Sequence, residues 1–159
     1  MNTTDTMIIL LTGAGATAVT DLWAIARRRI LGMPLPNFGF VGRWMAQLAR
    51  GHLRARPIAG VAPVRGERAI GWTAHYVIGM AFALLLPLFW GREWISHPTF
   101  GPALIVGVAT VAAPLLIMQP GMGVRPTAAA RIQSVITHAM FGLGLYLAAR
   151  LFSSSITGE

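Results

Sequence analysis

Three ionisable residues lie inside long apolar stretches of the chain: Asp21, His75 and His138. An ionisable side chain within a membrane span is energetically costly and marks a functional candidate by default. At the rise of an α-helix, each of the three lies roughly 7–10 Å from the same end of its predicted span. The spacing therefore predicts a polar cluster at one depth, which Thr17 extends because it lies one helical turn before Asp21 on the same face.

Hydrogen bonding between helices is one explanation for such a cluster. Small residues flank both histidines at four-residue spacing, and small residues let membrane helices approach closely enough for polar side chains to bond across the contact. In this interpretation, His75 and His138 bond to Asp21, to Thr17 or to backbone carbonyls, and the cluster serves only to pack the helices.

Three functional interpretations use the same residues. In a proton-coupled transporter, Asp21 exchanges protons with an imidazole, whose ordinary pKa is close to physiological pH. In a bis-histidine haem b site, His75 and His138 are the axial ligands, and Arg68 and Arg131 meet the propionates. In a divalent-metal site, the two histidines and the carboxylate are the ligands.

The composition indicates a membrane protein and gives no support for an enzyme. The 159 residues are 55% hydrophobic and 11% charged, whereas soluble domains carry about 25% charged residues. The chain has no cysteine, which excludes disulfides, thiolate metal sites and cysteine nucleophiles. The order of its serine, histidine and acidic residues indicates no catalytic triad or carboxylate pair.

Four stretches are long and apolar enough to cross a bilayer, which takes about 20 residues. They cover about residues 7–26, 69–90, 100–118 and 132–152. The sequence therefore predicts an all-α integral membrane four-helix bundle in which residues 1–159 form a single membrane domain.

The arginines predict the orientation of the bundle. Nine of the thirteen basic residues lie in the loop 27–68, namely Arg27, Arg28, Arg29, Arg43, Arg50, Arg54, Arg56, Arg65 and Arg68. The connection 119–131 has two more, whereas Arg92 in the remaining loop is balanced by Glu93. Because cytoplasmic loops carry the excess of basic residues, we predict that both basic segments face the cytoplasm and that both termini lie outside.

The basic loop is also expected to contact the membrane surface. Anionic lipid headgroups attract arginine, and tryptophan prefers the membrane interface. On this basis the predicted headgroup anchors are Arg27, Arg28, Arg29 and Trp44. No base-stacking or groove-reading motif accompanies the arginines, so the predicted partner is the anionic bilayer rather than nucleic acid.

A short amphipathic helix is predicted within the same loop. Between Phe38 and Leu48, apolar side chains recur at three- and four-residue spacing, after two prolines that end the first span. The pattern is typical of a helix with one apolar face. We predict that this helix lies at the inner-leaflet interface; packing on the end of the bundle is the alternative.

An internal repeat links the second and fourth spans. A shift of 63 positions superimposes the pattern P-x4-R-x6-H-x3-G, because Pro63, Arg68, His75 and Gly79 then fall on Pro126, Arg131, His138 and Gly142. The first and third spans align only weakly. We interpret the chain as two related transmembrane hairpins that run in the same direction, with the basic loop inserted in the first.

The chain also resembles a family of short bacterial inner-membrane proteins recorded only as a domain of unknown function. The residues that carry the resemblance are GAGATAVTDLWA at 13–24, VGRW at 41–44, GERAIGWTAHY at 66–76, MQPGMG at 118–123 and THAMFGLGLY at 137–146. The resemblance implies the bacterial inner membrane and the four-helix layout, with both termini then periplasmic. It implies no activity, cofactor or partner.

The sequence favours an accessory or assembly subunit of a larger membrane complex as the function. The alternatives are a small proton- or solute-coupled transporter that uses the Asp/His cluster, and a haem-binding membrane protein. Partners besides lipid would be other membrane subunits or a second copy of the chain.

The predicted topology can be tested with reporter fusions. Fusions within residues 27–68 should report a cytoplasmic location because of the arginine excess. A fusion after Arg92 should report the opposite side and serves as the control. A periplasmic location for the basic loop would contradict the prediction.

Overall fold

The computed structural model describes residues 2–52 and 57–157, so Arg54 and Arg56 of the basic loop lie outside the described residues. All regular structure in the described part is helical, as predicted. The α-helices are α1 (Thr3–Leu31), α2 (Phe38–Ala49), α3 (Glu67–Ala83), α4 (Leu85–Trp90), α5 (Glu93–Ser96), α6 (Phe100–Ala109), α7 (Gln119–Gly121) and α8 (Ala128–Thr157). A 3-10 turn (Ile58–Gly60) and a π-helical turn (Ala113–Met118) complete the set.

Four helical segments of the described chain are long and apolar enough to cross a membrane, which confirms the predicted number of spans. They are Thr3–Leu31, Glu67–Trp90, Phe100–Gly121 and Ala128–Ser154. Each extends beyond its predicted limits, because polar residues at the ends continue a helix after the apolar run has stopped.

The first span illustrates this extension. The Asn2 side chain accepts the Asp5 backbone N–H at 2.7 Å, which starts α1 before the first apolar residue. The helix then continues through the arginine triplet and ends at Gly32, whose φ of 65° is left-handed and suits glycine. The triplet is therefore part of the helix rather than the beginning of a loop.

The spans lie side by side in the order α3, α1, α8 and the third span. The most extensive contact is between α1 and α8, with α3 packed on the outer side of α1 and α6 on the outer side of α8. The second and third spans meet mainly through α4 and α6, near the chain termini. At the other end, which we call the basic end because residues 27–68 lie there, these two outer spans diverge.

Close contacts at glycines hold two pairs of neighbouring spans together. In the first pair, Gly79 of α3 lies so close to Thr17 of α1 that a β-carbon would overlap the threonine hydroxyl. In the second pair, Gly142 of α8 faces Gly107 of α6 in the same way. Gly79 and Gly142 are equivalent in the proposed internal repeat, which stays a prediction.

The third span is interrupted by a π-helical turn on the side of the basic end. Pro114 lies in this turn and has no backbone N–H to donate. Single π-helical turns are rare in proteins, and those that occur are frequently found at functional sites. Three residues of the turn, Ala113, Pro114 and Met118, line the cavity described below.

Helix α2 packs on the bundle, which is the alternative that we gave to an interfacial position, and its distance from a membrane interface stays a prediction. Gly42 and Gly71 leave no space for a β-carbon, since their positions face the backbone of Glu67 and of Phe38 respectively. This close approach of α2 to α3 buries Trp44, which is 9% exposed. The alternative, a helix that covers the basic end, therefore describes α2.

A charged pair fixes the same contact. The Arg43 guanidinium donates to both carboxylate oxygens of Glu67, from Nε and Nη2, each at 2.8 Å. Its Nη1 also donates to the carbonyls of Ile58 and Val61. The Glu67 hydrogen bonds raise the pKa of Arg43. This two-point geometry is specific to arginine and carboxylate, and it ties the loop before α3 to α2.

The helix contact at Gly71 can be tested by a single added methyl group. Gly71→Ala places a β-carbon against the Phe38 carbonyl, so we expect a loss of unfolding free energy of about 1–3 kcal/mol from overpacking. Thermal or denaturant unfolding in a defined detergent measures it. Gly101→Ala is the control, since a β-carbon there has open space, and equal stability of the two variants would contradict the packing described here.

Candidate functional site

A cavity of about 400 Å³ lies between the spans on the side of the basic end. Its walls come from α1, α3, α8 and the π-helical turn, and residues 36–41 of the α2 region and Ile58 line it as well. Most of the lining is apolar. Its polar members are Thr17, Thr20, Asp21, Arg27, Asn37, His75, Thr110, Thr137 and His138. The volume lies within the range of small-molecule binding pockets.

Two side chains of α3 hold the Asp21 carboxylate. Its Oδ1 lies 3.1 Å from His75 Nε2, and its Oδ2 accepts a hydrogen bond from the Tyr76 hydroxyl at 2.9 Å. Asp21, His75 and Tyr76, which we call the polar network, join α1 to α3. A carboxylate and an imidazole at this distance are within reach of direct proton transfer.

Tyr76 is a site residue that the sequence analysis did not identify. The available signal was its position in a predicted span, since a buried tyrosine hydroxyl usually finds a hydrogen-bond partner. Its neighbour His75 was identified, and consecutive helical residues project about 100° apart. His75 and Tyr76 both reach one carboxylate because Asp21 lies between them on the facing helix.

The ring of His75 is also held by aromatic contacts. The Phe38 ring of α2 lies with its centroid 4.3 Å from that of His75, and the Trp72 ring lies 5.9 Å away. The α2 contact at Gly71, one turn from His75, is what brings Phe38 there. Helix α2 therefore positions a group of the polar network without bonding to it.

His138 reaches the cavity but does not join the network. Its Nδ1–H donates to the Ser134 carbonyl of its own helix at 2.8 Å. Thr17 likewise bonds within its own helix, to the Gly13 carbonyl at 2.8 Å. Of the four predicted cluster residues, the structure thus places all in the cavity wall and bonds only Asp21 to His75.

The geometry does not assemble the predicted metal or haem sites. Over residues 2–52 and 57–157, no three histidine or acidic side chains converge to hold a metal ion. For haem, the His75 Nε2 is already engaged by Asp21. Arg68 and Arg131, predicted to meet the propionates, are exposed and do not line the cavity. The residues therefore do not fit a haem group.

The predicted headgroup anchors divide into two groups. Arg28 and Arg29 are exposed at the basic end, and their contact with lipid stays a prediction. Trp44 is instead buried, close to Gly121. Arg27 is 7% exposed and lines the cavity. The α2 contact and the helical extension of the triplet turn these two side chains inward, and their contact with lipid headgroups stays a prediction as well.

Four candidate spans around a cavity with a polar network define a helical-bundle protein of the membrane-spanning class. The model of the family described as "Protein of unknown function (DUF2938)" matches residues 10–152. The chain belongs to this family, as its resemblance to an uncharacterised family indicated. No curated protein and no solved structure matches the chain.

A double-mutant cycle tests the polar network. Tyr76→Phe removes the hydrogen bond to Asp21, and we expect it to lower the unfolding free energy by about 0.6–1.7 kcal/mol, as for other hydrogen bonds between membrane helices. In an Asp21→Ala background the same substitution should have almost no effect. Tyr146→Phe, on α8, is the control, and additive effects of the Tyr76 and Asp21 substitutions would contradict the described contact.

Proposed function

We propose that the protein is a small proton-coupled transporter of an amphipathic molecule, which occupies the cavity between the spans. The observation that carries the proposal is that Asp21 and His75 of the polar network lie in the wall of an otherwise mostly apolar cavity. An apolar lining favours an acyl chain or another apolar body, and the Asp21 carboxylate and the His75 imidazole lie close enough for direct proton transfer.

Entry from the bilayer is part of the proposal. The second and third spans pack on each other mainly near the termini, so the cavity separates α3 from the π-helical turn toward the basic end. A gap between two outer helices of a membrane bundle opens toward lipid. An amphipathic molecule dissolved in the bilayer would reach the cavity without crossing water.

The remaining expectations complete the proposed setting. We propose a bacterial inner membrane, which the resemblance to short bacterial inner-membrane proteins implies, with both termini periplasmic on the arginine distribution. Arg28 and Arg29 would then meet anionic headgroups of the cytoplasmic leaflet. The cavity would open on the cytoplasmic side of the midplane, where His138 and the polar network share one space.

The accessory-subunit function favoured by the sequence is the second hypothesis. We rank it below transport, since a cavity with Asp21 and His75 in its wall suits a bound molecule better than a docking surface. It predicts stoichiometric co-purification with other membrane proteins, and an Asp21→Ala variant that fails to assemble with them.

The test uses purified protein in liposomes with a pH gradient. Single-chain fluorescent probes with permanently ionised sulfonate, phosphocholine or quaternary ammonium headgroups report movement between leaflets by their accessibility to an added quencher. We expect protein-dependent movement of at least one probe, accelerated by the gradient. Asp21→Asn should remove the gradient dependence because the network loses its carboxylate, whereas Asp5→Asn, on the same helix outside the cavity, should keep it.

A second pair of variants tests the cavity itself. Ala113→Phe fills the cavity wall and should block probe movement, while Ala112→Phe lies at the neighbouring exposed position and should not. Gradient-driven movement that survives Asp21→Asn would contradict proton coupling through the network. If no probe moves and a partner protein co-purifies in stoichiometric amount, the transport proposal would be rejected in favour of the accessory function.

A further inference from the structure

Arg27 is a buried cation in the cavity wall without a counter-ion in the described part of the chain. The residue is 7% exposed, and its Nε has no hydrogen-bond partner there. Its Nη1 contacts only the Met33 sulfur, at 3.9 Å. On one side the guanidinium lies over the Trp23 ring, 5.9 Å from the ring centroid.

The acids of the described chain are engaged elsewhere or lie far away. Asp5 pairs with Arg92 and Glu67 with Arg43, while Asp21 receives His75 and Tyr76. Glu93 begins α5, at the opposite end of the bundle from Arg27. Buried charges in proteins are normally paired, because an isolated ion loses its hydration without compensation.

We infer that Arg27 binds the anionic headgroup of the amphipathic molecule that occupies the cavity. The inference rests on the proposed function and specifies its substrate class: a single-chain amphiphile whose head is a carboxylate or a phosphate. Guanidinium matches both groups, because its parallel N–H donors pair with two oxygens of one anion. The ligand would supply a counter-ion that the described part of the chain does not provide.

The position of Arg27 determines how the ligand would be oriented in the cavity. Arg27 lies near the basic end of α1, whereas the aromatic lining residues Phe82 and Phe141 lie deeper, with ring centroids 6.5 Å apart. Six residues of α1 separate Asp21 from Arg27, which is roughly 9 Å along the helix. A headgroup at Arg27 therefore stays clear of the Asp21 carboxylate, and its chain extends past the polar network toward the aromatic rings.

The headgroup preference can be measured in nanodiscs of zwitterionic lipid, with empty nanodiscs as the background. Four fluorescent probes share one acyl chain and differ only in the head: carboxylate, phosphate monoester, phosphocholine or quaternary ammonium. We expect a carboxylate or phosphate probe to bind more tightly than the other two. Arg27→Gln should weaken anion binding by about tenfold or more, as loss of a buried charge-assisted contact does, and leave phosphocholine binding within about twofold.

Two controls separate ligand binding from a structural role. Arg150→Gln changes an exposed arginine of α8 outside the cavity and should leave all four affinities unchanged. In the ligand-free protein, Arg27→Gln should melt at the same temperature as the wild type or higher, since it removes an uncompensated buried charge. A lower melting temperature together with an unchanged headgroup preference would make Arg27 a structural residue and overturn the inference.

The probe pattern also identifies the source of the anion. Binding of the carboxylate probe alone indicates a fatty-acid-like ligand, and binding of the phosphate probe alone indicates a lysophospholipid-like one; both support the inference. Equal binding of all four heads would overturn the anion preference and leave the proposed function standing. Failure of every probe to bind would remove the proposed function together with the inference that rests on it.

Discussion

The separation of α1 and α3 determines the geometry of the candidate site. The two helices run in opposite directions and pack closely where Gly79 faces the Thr17 side chain, beside a backbone contact of Gly13 with Met80. One turn from that contact toward the basic end, His75 on α3 and Asp21 on α1 are brought to 3.1 Å. A side chain at position 79 would separate the helices and with them the carboxylate and the imidazole. The hydrogen bond is therefore a consequence of a backbone contact.

A second backbone contact supports the first. Gly42 and Gly71 bring α2 onto α3, and the Arg43–Glu67 pair holds it there. Phe38 then lies on the face of the His75 ring. This packing limits the orientations of the His75 ring and therefore the directions of its two nitrogen atoms. The polar network is thus supported by the packing of α1 on α3 and by the packing of α2, which follows the first span.

The cavity exists because the two outer spans do not close on each other at the basic end. Proline and the π-helical turn alter the third span where it would meet α3. The resulting space has a mostly apolar lining, the Asp21–His75 contact and the Arg27 guanidinium in its wall. We therefore propose an amphipathic, ionised ligand for it.

The sequence by itself determined the membrane class, the number of spans and the family, because apolar run length and motif spacing depend only on residue order. It also predicted that Asp21 and a histidine share a site. It could not decide which histidine bonds, that Tyr76 joins them, or that Trp44 and Arg27 face inward. Those outcomes depend on how closely helices approach and how they rotate about their axes, and both are set by glycine contacts between segments distant in the chain. Only the tertiary structure decided them, since side-chain contact across helices is a property of packing and not of spacing along one helix.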